Sequence, residues 1–383
     1  MSSEGGTPSV VVSDLAIAVS GGLEWLRDGR LVYIGSGASG ASFSFDDLSV
    51  WGITTDSRTG SPSGKQEKMI HWSGAFPFLP SASKDGRRMI VEKGHYWHDI
   101  YVGELGGNGT RLDSTKRFTS SESENFPTTW TRENLSILFT SDRTGRYQLF
   151  KQRLDADDAE LLVQSSDDVI GAEFSPDAAW ILYISSPHGG NSTPTSQRLM
   201  RLPASGGSPE QILEIPVDPM NQWSCSSRIT GSCVISLWAQ GQLIFYVLDP
   251  LHGQGKEVIR TQLGHRDDLN WDISPDGSLI AIGLLPGRKV RLLDLRNGTE
   301  RDIQLSMEGI VQGLCWSADG NALFAGMISS GHQIIRVDLD GKTHVLLDRK
   351  GVWVGSLALS PDGRHLAYSQ QTIDSNLWLL ENF

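Results

Sequence analysis

Apolar residues in this chain come in short runs broken by turn-forming clusters. The clearest case is Trp271-Asp272-Ile273 and Leu279-Ile280-Ala281-Ile282, which flank Ser274-Pro275-Asp276-Gly277. A third run, Val290-Arg291-Leu292-Leu293, follows after a loop. Runs this short between turn signals predict strands. In the turn, Pro restricts φ, Asp bonds the backbone two residues on, and Gly supplies a positive φ. The stretch therefore predicts a β-meander unit of strand, tight turn, strand, loop and strand. No stretch keeps a helical period, so mixed α/β folds are excluded.

The unit recurs. A first repeat turns at Arg27-Asp28-Gly29 and a second at Ser83-Lys84-Asp85-Gly86, with a loop expected at His95-Tyr96-Trp97-His98. A third has the departing turn Thr131-Arg132-Glu133-Asn134, and a fourth Ser175-Pro176-Asp177-Ala178. The fifth, around Trp223-Ser224-Cys225, is the least regular. The sixth, seventh and eighth carry Asp276, Asp319 and Asp362, spaced 43 residues apart. Repeats of roughly 40 to 50 residues are the length of a four-stranded propeller blade. The expected fold is all-β, a single β-propeller over residues 10–383 after a flexible start at 1–9. Eight four-stranded blades from about residue 22 are expected, with seven as the alternative. The eighth repeat has three strands and Val10 to Ala18 reads as an orphan strand. That segment is expected to complete the last blade and remove two exposed edges.

These turns, followed by an apolar strand, by Ser141-Asp142-Arg143-Thr144-Gly145 and by Tyr147-Gln148-Leu149-Phe150, resemble the repeats of TolB-type, WD40-like (PD40) β-propellers. Residues 126–154 and 269–295 match best. The chain also resembles propeller modules behind regulatory domains in some bacterial sensor proteins. The resemblance implies a propeller that binds a protein, peptide or small ligand.

Composition narrows the reading. Hydrophobic residues make up 38% and charged residues 20% of the 383, as in a globular chain, and the 42 glycines suit a turn-rich fold. A net charge of -12 speaks against a nucleic-acid binder, which needs clustered Lys and Arg. No apolar run approaches 18 residues, so no membrane-inserting helix is expected. The start lacks the basic and apolar regions of a signal peptide. A cytoplasmic site is expected for a complete chain, and a periplasmic one for a piece of a membrane-anchored receptor.

Candidate chemistry is sparse. Gly35-Ser36-Gly37-Ala38-Ser39-Gly40 has the spacing of a dinucleotide fingerprint, but no helix follows to meet a pyrophosphate, so it reads as a loop. No Gly-x-Ser-x-Gly elbow is present, which excludes a serine peptidase of that kind. His95 and His98 are too few for a transition-metal site. The loop they share with Tyr96 and Trp97 reads as solvent-facing or as a ligand-gripping loop. Cys225 and Cys233 flank a short turn and read equally as a disulfide or as two reduced core thiols. Trp25, Trp130, Trp223, Trp271 and Trp316 read as blade packing.

The loops leading into the innermost strands carry acids, among them Glu122, Asp167 and Asp267. Glu124, Asp168, Asp218, Asp268 and Glu308 are the ligand-binding candidates at one channel mouth, with His98 and Trp97 beside them. Crowded like charges favour a counter-ion or a cationic ligand. No cofactor is expected, a divalent cation at that mouth being the one ion the pattern suits. The function expected is a non-catalytic binding, scaffold or sensory module, a monomer taking a protein, peptide or small ligand. The alternative is a propeller lyase or hydrolase using acidic and His residues at the mouth.

Overall fold

A computed structural model describes residues 10–12, 23–35, 48–56, 59–71, 76–83, 85, 87–188, 194–218, 220–263, 270–284 and 288–381. The described chain is almost wholly antiparallel sheet, and no described helix is long and apolar enough to cross a membrane. It divides into two units, residues 1–96 with 373–383, and residues 97–372.

The smaller unit contains a four-stranded sheet of β1 (Leu23–Trp25), β2 (Arg30–Gly35), β3 (Ser49–Thr54) and β4 (Glu67–His71). It also holds β5 (Phe76–Ala82), which pairs with the first part of β6 (Arg88–Gly106). Leu26, Val32, Val50, Met89 and Val91 form its core.

In the larger unit, β6 continues and pairs with β7 (Arg111–Arg117). Five four-stranded sheets follow. The first is β8 (Asn125–Trp130), β9 (Ser136–Ser141), β10 (Gln148–Arg153) and β11 (Glu160–Val163). The second is β12 (Asp168–Phe174), β13 (Trp180–Ser186), β14 (Ser196–Pro203) and β15 (Glu210–Pro216). The third is β16 (Trp223–Cys225), β17 (Cys233–Ala239), β18 (Gln242–Asp249) and β19 (Gly253–Gln262). The fourth is β20 (Trp271–Ile273), β21 (Leu279–Leu284), β22 (Lys289–Asp294) and β23 (Glu300–Gln304). The fifth is β24 (Ile310–Trp316), β25 (Ala322–Ile328), β26 (His332–Asp338) and β27 (Thr343–Arg349). A sixth sheet joins β28 (Val354–Leu359) and β29 (His365–Glu381) to β6 and β7. The first strands of the sheets, β8, β12, β16, β20, β24 and β28, pack side by side, and β28 packs against both β24 and β8. The ring of inner strands is thus closed, and apolar clusters fill the spaces between sheets.

The turn chemistry works as expected. Ser274 Oγ donates to Asp276 Oδ1 at 2.8 Å and accepts from Leu279 N at 2.9 Å, while Asp276 Oδ1 accepts from Ser278 N at 3.1 Å. Gly277, Gly320 and Gly363 sit at φ of 73°, 77° and 71°. The departing turns keep the same backbone, with Asn134 at φ 60° and Ala178 at φ 56° in the glycine's place.

Three expectations change. Among the described residues there are seven sheets, six of them with inner strands in the closed ring of the larger unit. The second repeat does not form a blade of its own, because its two apolar runs merge into the single 19-residue strand β6. His95, Tyr96, Trp97 and His98 therefore lie in a strand and not in a loop. The last sheet of the ring is completed by β6 and β7. Of the segment 10–18, Val10 to Val12 are described and form no strand, and 13–18 lie outside the described residues. The Gly/Ser stretch after Gly35 lies outside them too. Cys225 and Cys233 stand opposite each other in the β16–β17 register and form a disulfide.

Candidate functional site

Each inner strand ends at a turn whose first residue is Ser or Thr: Thr131, Ser175, Ser226, Ser274, Ser317 and Ser360. Side chains alternate along a strand, so residues two before these positions share an orientation. They are Thr129, Glu173, Ser224, Asp272, Cys315 and Ala358, and all six line the cavity at the centre of the ring. Four of the six, Thr129, Ser224, Cys315 and Ala358, are small, while the other two, Glu173 and Asp272, are carboxyls that meet at Ser224.

The hydrogen bonds around this pair are specific. Ser224 Oγ donates to Asp272 Oδ1 at 2.7 Å and lies 3.4 Å from Glu173 Oε2. Cys225 N donates to Glu173 Oε2 at 2.6 Å. Asp272 Oδ1 also accepts from Ile273 N at 2.8 Å, and Oδ2 from Trp316 N at 3.0 Å. Neither carboxyl has an ion-pair partner among the described residues. Both keep some surface toward the cavity, yet the surrounding walls make burial the leading influence on each. Burial and then the Asp272 charge push Glu173 up to about 8, against the Cys225 and Ser224 hydrogen bonds. Burial raises Asp272 to about 6, partly offset by Ser224, Trp316 and Ile273. The pair titrates as a unit. Burial and mutual repulsion favour one proton held by the pair over full ionisation of both carboxyls. Burial and Asp272 also push the Cys315 thiol up, so it stays neutral.

Toward the starts of the inner strands an adjoining cavity, which shares Glu173 and Trp223 with the first, is lined also by Phe126 and Tyr147. Here β8, β12, β24 and β28 each carry a register irregularity, at Pro127/Thr129, Ile170/Ala172, Val311/Gly313 and Gly355/Leu357. The extra residues, Thr128, Gly171, Gln312 and Ser356, line the cavity. A bulge leaves the extra residue outside the ladder and is over-represented beside functional sites. Ser356 holds φ 46°, a left-handed value costly for a residue with a Cβ.

The acids expected at the mouth do sit near the starts of inner strands, but with partners. His98 is buried in β6; its Nδ1 bonds Glu124 Oε2, and its ring packs on Phe126 at 5.0 Å and Trp353 at 4.8 Å. Trp97 Nε1 donates to Asp99 Oδ2 at 3.0 Å, and Asp99 pairs with Arg117 at 2.9 Å. Asp168 Oδ2 lies 2.8 Å from His188 Nδ1, and its Oδ1 accepts from Tyr147 N at 3.1 Å. Asp218 accepts from Met220 N at 3.0 Å, and the exposed Glu308 pairs with Arg288. Asp267 and Asp268 lie outside the described residues. Of these candidates the structure joins His98 to Glu124 and gives Asp168, Asp218 and Glu308 separate partners. Among the described residues no cluster of three or more His, Cys, Asp or Glu is placed to hold a metal ion.

Glu173 and Asp272 are absent from the candidates that sequence reasoning selects. The signal is present all the same: aligning the six turns puts acids at one strand position where the other inner strands carry Thr, Ser, Cys or Ala. The tryptophans divide similarly. Trp130, Trp271 and Trp316 are buried and donate their indole N–H to Ala358 O, Ser236 Oγ and Asp272 O. Trp223 lines the cavity and Trp25 is exposed.

No protein-family profile matches the chain, and no curated protein does. Solved structures do. A structure provisionally assigned as TolB from Agrobacterium tumefaciens is 18% identical, covering 72% of this chain and 98% of its own, with a TM-score of 0.53. TolB from Acinetobacter baumannii is 12% identical over 91% of this chain and 82% of its own, with a TM-score of 0.49. An oligogalacturonate lyase in complex with manganese is 13% identical over 76% of each chain, with a TM-score of 0.43. With its repeated four-stranded sheets and closed ring of inner strands, the chain is a β-propeller, similar in fold to the Agrobacterium tumefaciens structure.

Proposed function

We propose that this chain is a binding module that takes its ligand in the central cavity of the ring. The observation that carries this reading is the Glu173–Ser224–Asp272 group in the cavity wall, a buried net negative charge with no ion-pair partner among the described residues. Keeping such a charge costs stability, and a ligand that neutralises it regains part of that cost. A non-catalytic role is favoured because both oxygens of Asp272 already accept backbone or hydroxyl hydrogens. A general base has to reach a substrate proton.

The test is a plugged cavity. Gly313 lines the cavity, and a Cβ there would meet its nearest atom, Ser356 N, at an ordinary 3.5 Å. Gly313→Trp should fill the space and abolish binding of peptides or small molecules selected on the unaltered chain. Undiminished binding by the plugged variant would sink the reading.

A second reading, an acid–base lyase or hydrolase, is favoured by one observation: two carboxyls in one cavity meeting at Ser224, with burial raising both by different amounts. It expects Glu173→Gln to stop turnover of a bound ligand while leaving its binding intact. The binding reading expects lost affinity and no turnover, which mass spectrometry of the recovered ligand distinguishes.

A further inference from the structure

We propose that the Glu173–Ser224–Asp272 group is a site for an organic ammonium ion, whose apolar body lies against Phe126, Tyr147 and Trp223. This rests on the cavity-binding reading and names its ligand class. Three observations lead to it.

The first is the accounting of acceptors. Glu173 Oε2 and both oxygens of Asp272 are engaged by N–H or O–H donors, which leaves Glu173 Oε1 as the carboxylate oxygen without a described donor. A hard divalent cation asks for six or more oxygens. A protonated nitrogen asks only for a few acceptors, one of them charged. The second is a pair of unused hydroxyls. Ser226, lining the cavity of the acids, and Thr140, lining the adjoining one, are 2% and 3% exposed, and among the described residues their hydroxyl oxygens have no hydrogen-bond partner. Ser226 is the first residue of a turn in which Arg228 replaces the usual Asp, so its hydroxyl lost the acceptor that Ser175, Ser274, Ser317 and Ser360 keep. Buried polar groups left unsatisfied in this way call for an explanation. The third is the wall itself, where Phe126, Tyr147 and Trp223 line a cavity together with Glu173, the side-chain types that hold an organic cation by cation–π attraction.

Binding exchanges one proton. The group starts as Glu173 carboxylic acid with Asp272 carboxylate. The incoming R–NH3+ takes the place of the Glu173 proton, which leaves to solvent, so both carboxylates end ionised around one ammonium. No covalent bond forms other than those of the departing proton. The other titratable or charged groups lining this cavity are Arg132 after β8 and Cys315 on β24, with Tyr147 toward the strand starts. Burial keeps Cys315 neutral throughout the range below.

The test titrates the full chain with benzylamine by calorimetry, alongside benzyl alcohol, magnesium chloride and calcium chloride. Benzylamine is expected to bind at least tenfold more tightly than its neutral isostere or either metal. Its affinity should rise up to about tenfold per pH unit from 6 to 8, because each unit removes a proton that competes for Glu173. Buffers of different ionisation heat should report release of up to one proton. Glu173→Gln should weaken benzylamine at least tenfold, while Glu160→Gln, exposed on the outermost strand β11, leaves it unchanged. Gln still accepts from Cys225 N, and a cooperative thermal transition no lower than that of the unaltered chain would show that the variant folds. Equal binding of benzyl alcohol, no binding of benzylamine, or indifference to Glu173→Gln would each overturn the proposal. A selected ligand that Gly313→Trp blocks but Glu173→Gln does not would overturn the ammonium site and keep the cavity reading. One that is indifferent to both would take down the reading itself.

Discussion

Glu173 works against the fold at neutral pH, and the sign of the effect gives a measurement. Its carboxyl titrates near 8 in the folded chain and near the ordinary 4.5 when unfolded. Below pH 4.5 it is neutral in both states and costs nothing. As the pH rises to about 8 the unfolded chain gains by ionising and the folded chain does not, so stability falls over that window. Glu173→Gln should therefore stabilise by roughly 3 kcal/mol at pH 7 and by almost nothing at pH 4. Urea unfolding at the two pH values reads this directly, and an equal difference at both would contradict the buried pair. The turns offer a second test. Ala178 holds φ 56°, where equivalent repeats carry glycine, so Ala178→Gly should stabilise by about 1 kcal/mol. Gly363→Val runs the other way. Its φ is 71° and an added Cβ would lie 3.1 Å from that of Ala318, so a loss of about 1 to 3 kcal/mol is expected from thermal unfolding. The turn residues were legible in the sequence because a turn is chosen by its own few residues. Glu173 and Asp272 were not selected, because their importance comes from meeting across three strands.

At the scale of elements, β6 shows where local reading stops. His95-Tyr96-Trp97-His98 lacks apolar alternation and reads as a loop. In the structure it is strand because distant partners replace water: Glu124 for His98, and Arg117 for Asp99. The second part of β6 packs where the first and last sheets of the ring meet. Ile100, fully buried, packs with Trp130, Ile137, Phe139, Ala358 and Ala367, side chains from the first and last sheets of the ring. Ile100→Ala should cost about 2 to 5 kcal/mol, as cavity-forming core substitutions do. Ile90→Ala, earlier in the same strand and 45% exposed, should change stability by about 0.5 kcal/mol or less. Comparable losses for the two in denaturant unfolding would argue against the closing role.

At the scale of the whole molecule the larger unit is a ring, and its closure is one junction among six. Trp130 Nε1 spans it, donating to Ala358 O at 2.9 Å. Trp130→Phe should cost about 1 to 3 kcal/mol, the price of a buried carbonyl left without its donor. Protection of the β28 amides in hydrogen exchange should fall with it, and unchanged protection would show that the junction does not depend on this bond. By itself the sequence determined the strand content, the turn geometry and the repeat, because alternation, Pro, Asp and Gly act over a few neighbouring residues. It also carried the resemblance to TolB-like propellers, since that lies in the same turns. Only the tertiary structure decided how many sheets join the ring, which strands complete the last one, and that the disulfide forms. It alone brought Glu173, Ser224 and Asp272 together, from positions 173, 224 and 272 on three inner strands. The physical reason is range: a turn is settled by the torsions of adjacent residues, whereas a buried charge acquires its meaning from whatever the folded chain places within a hydrogen bond of it.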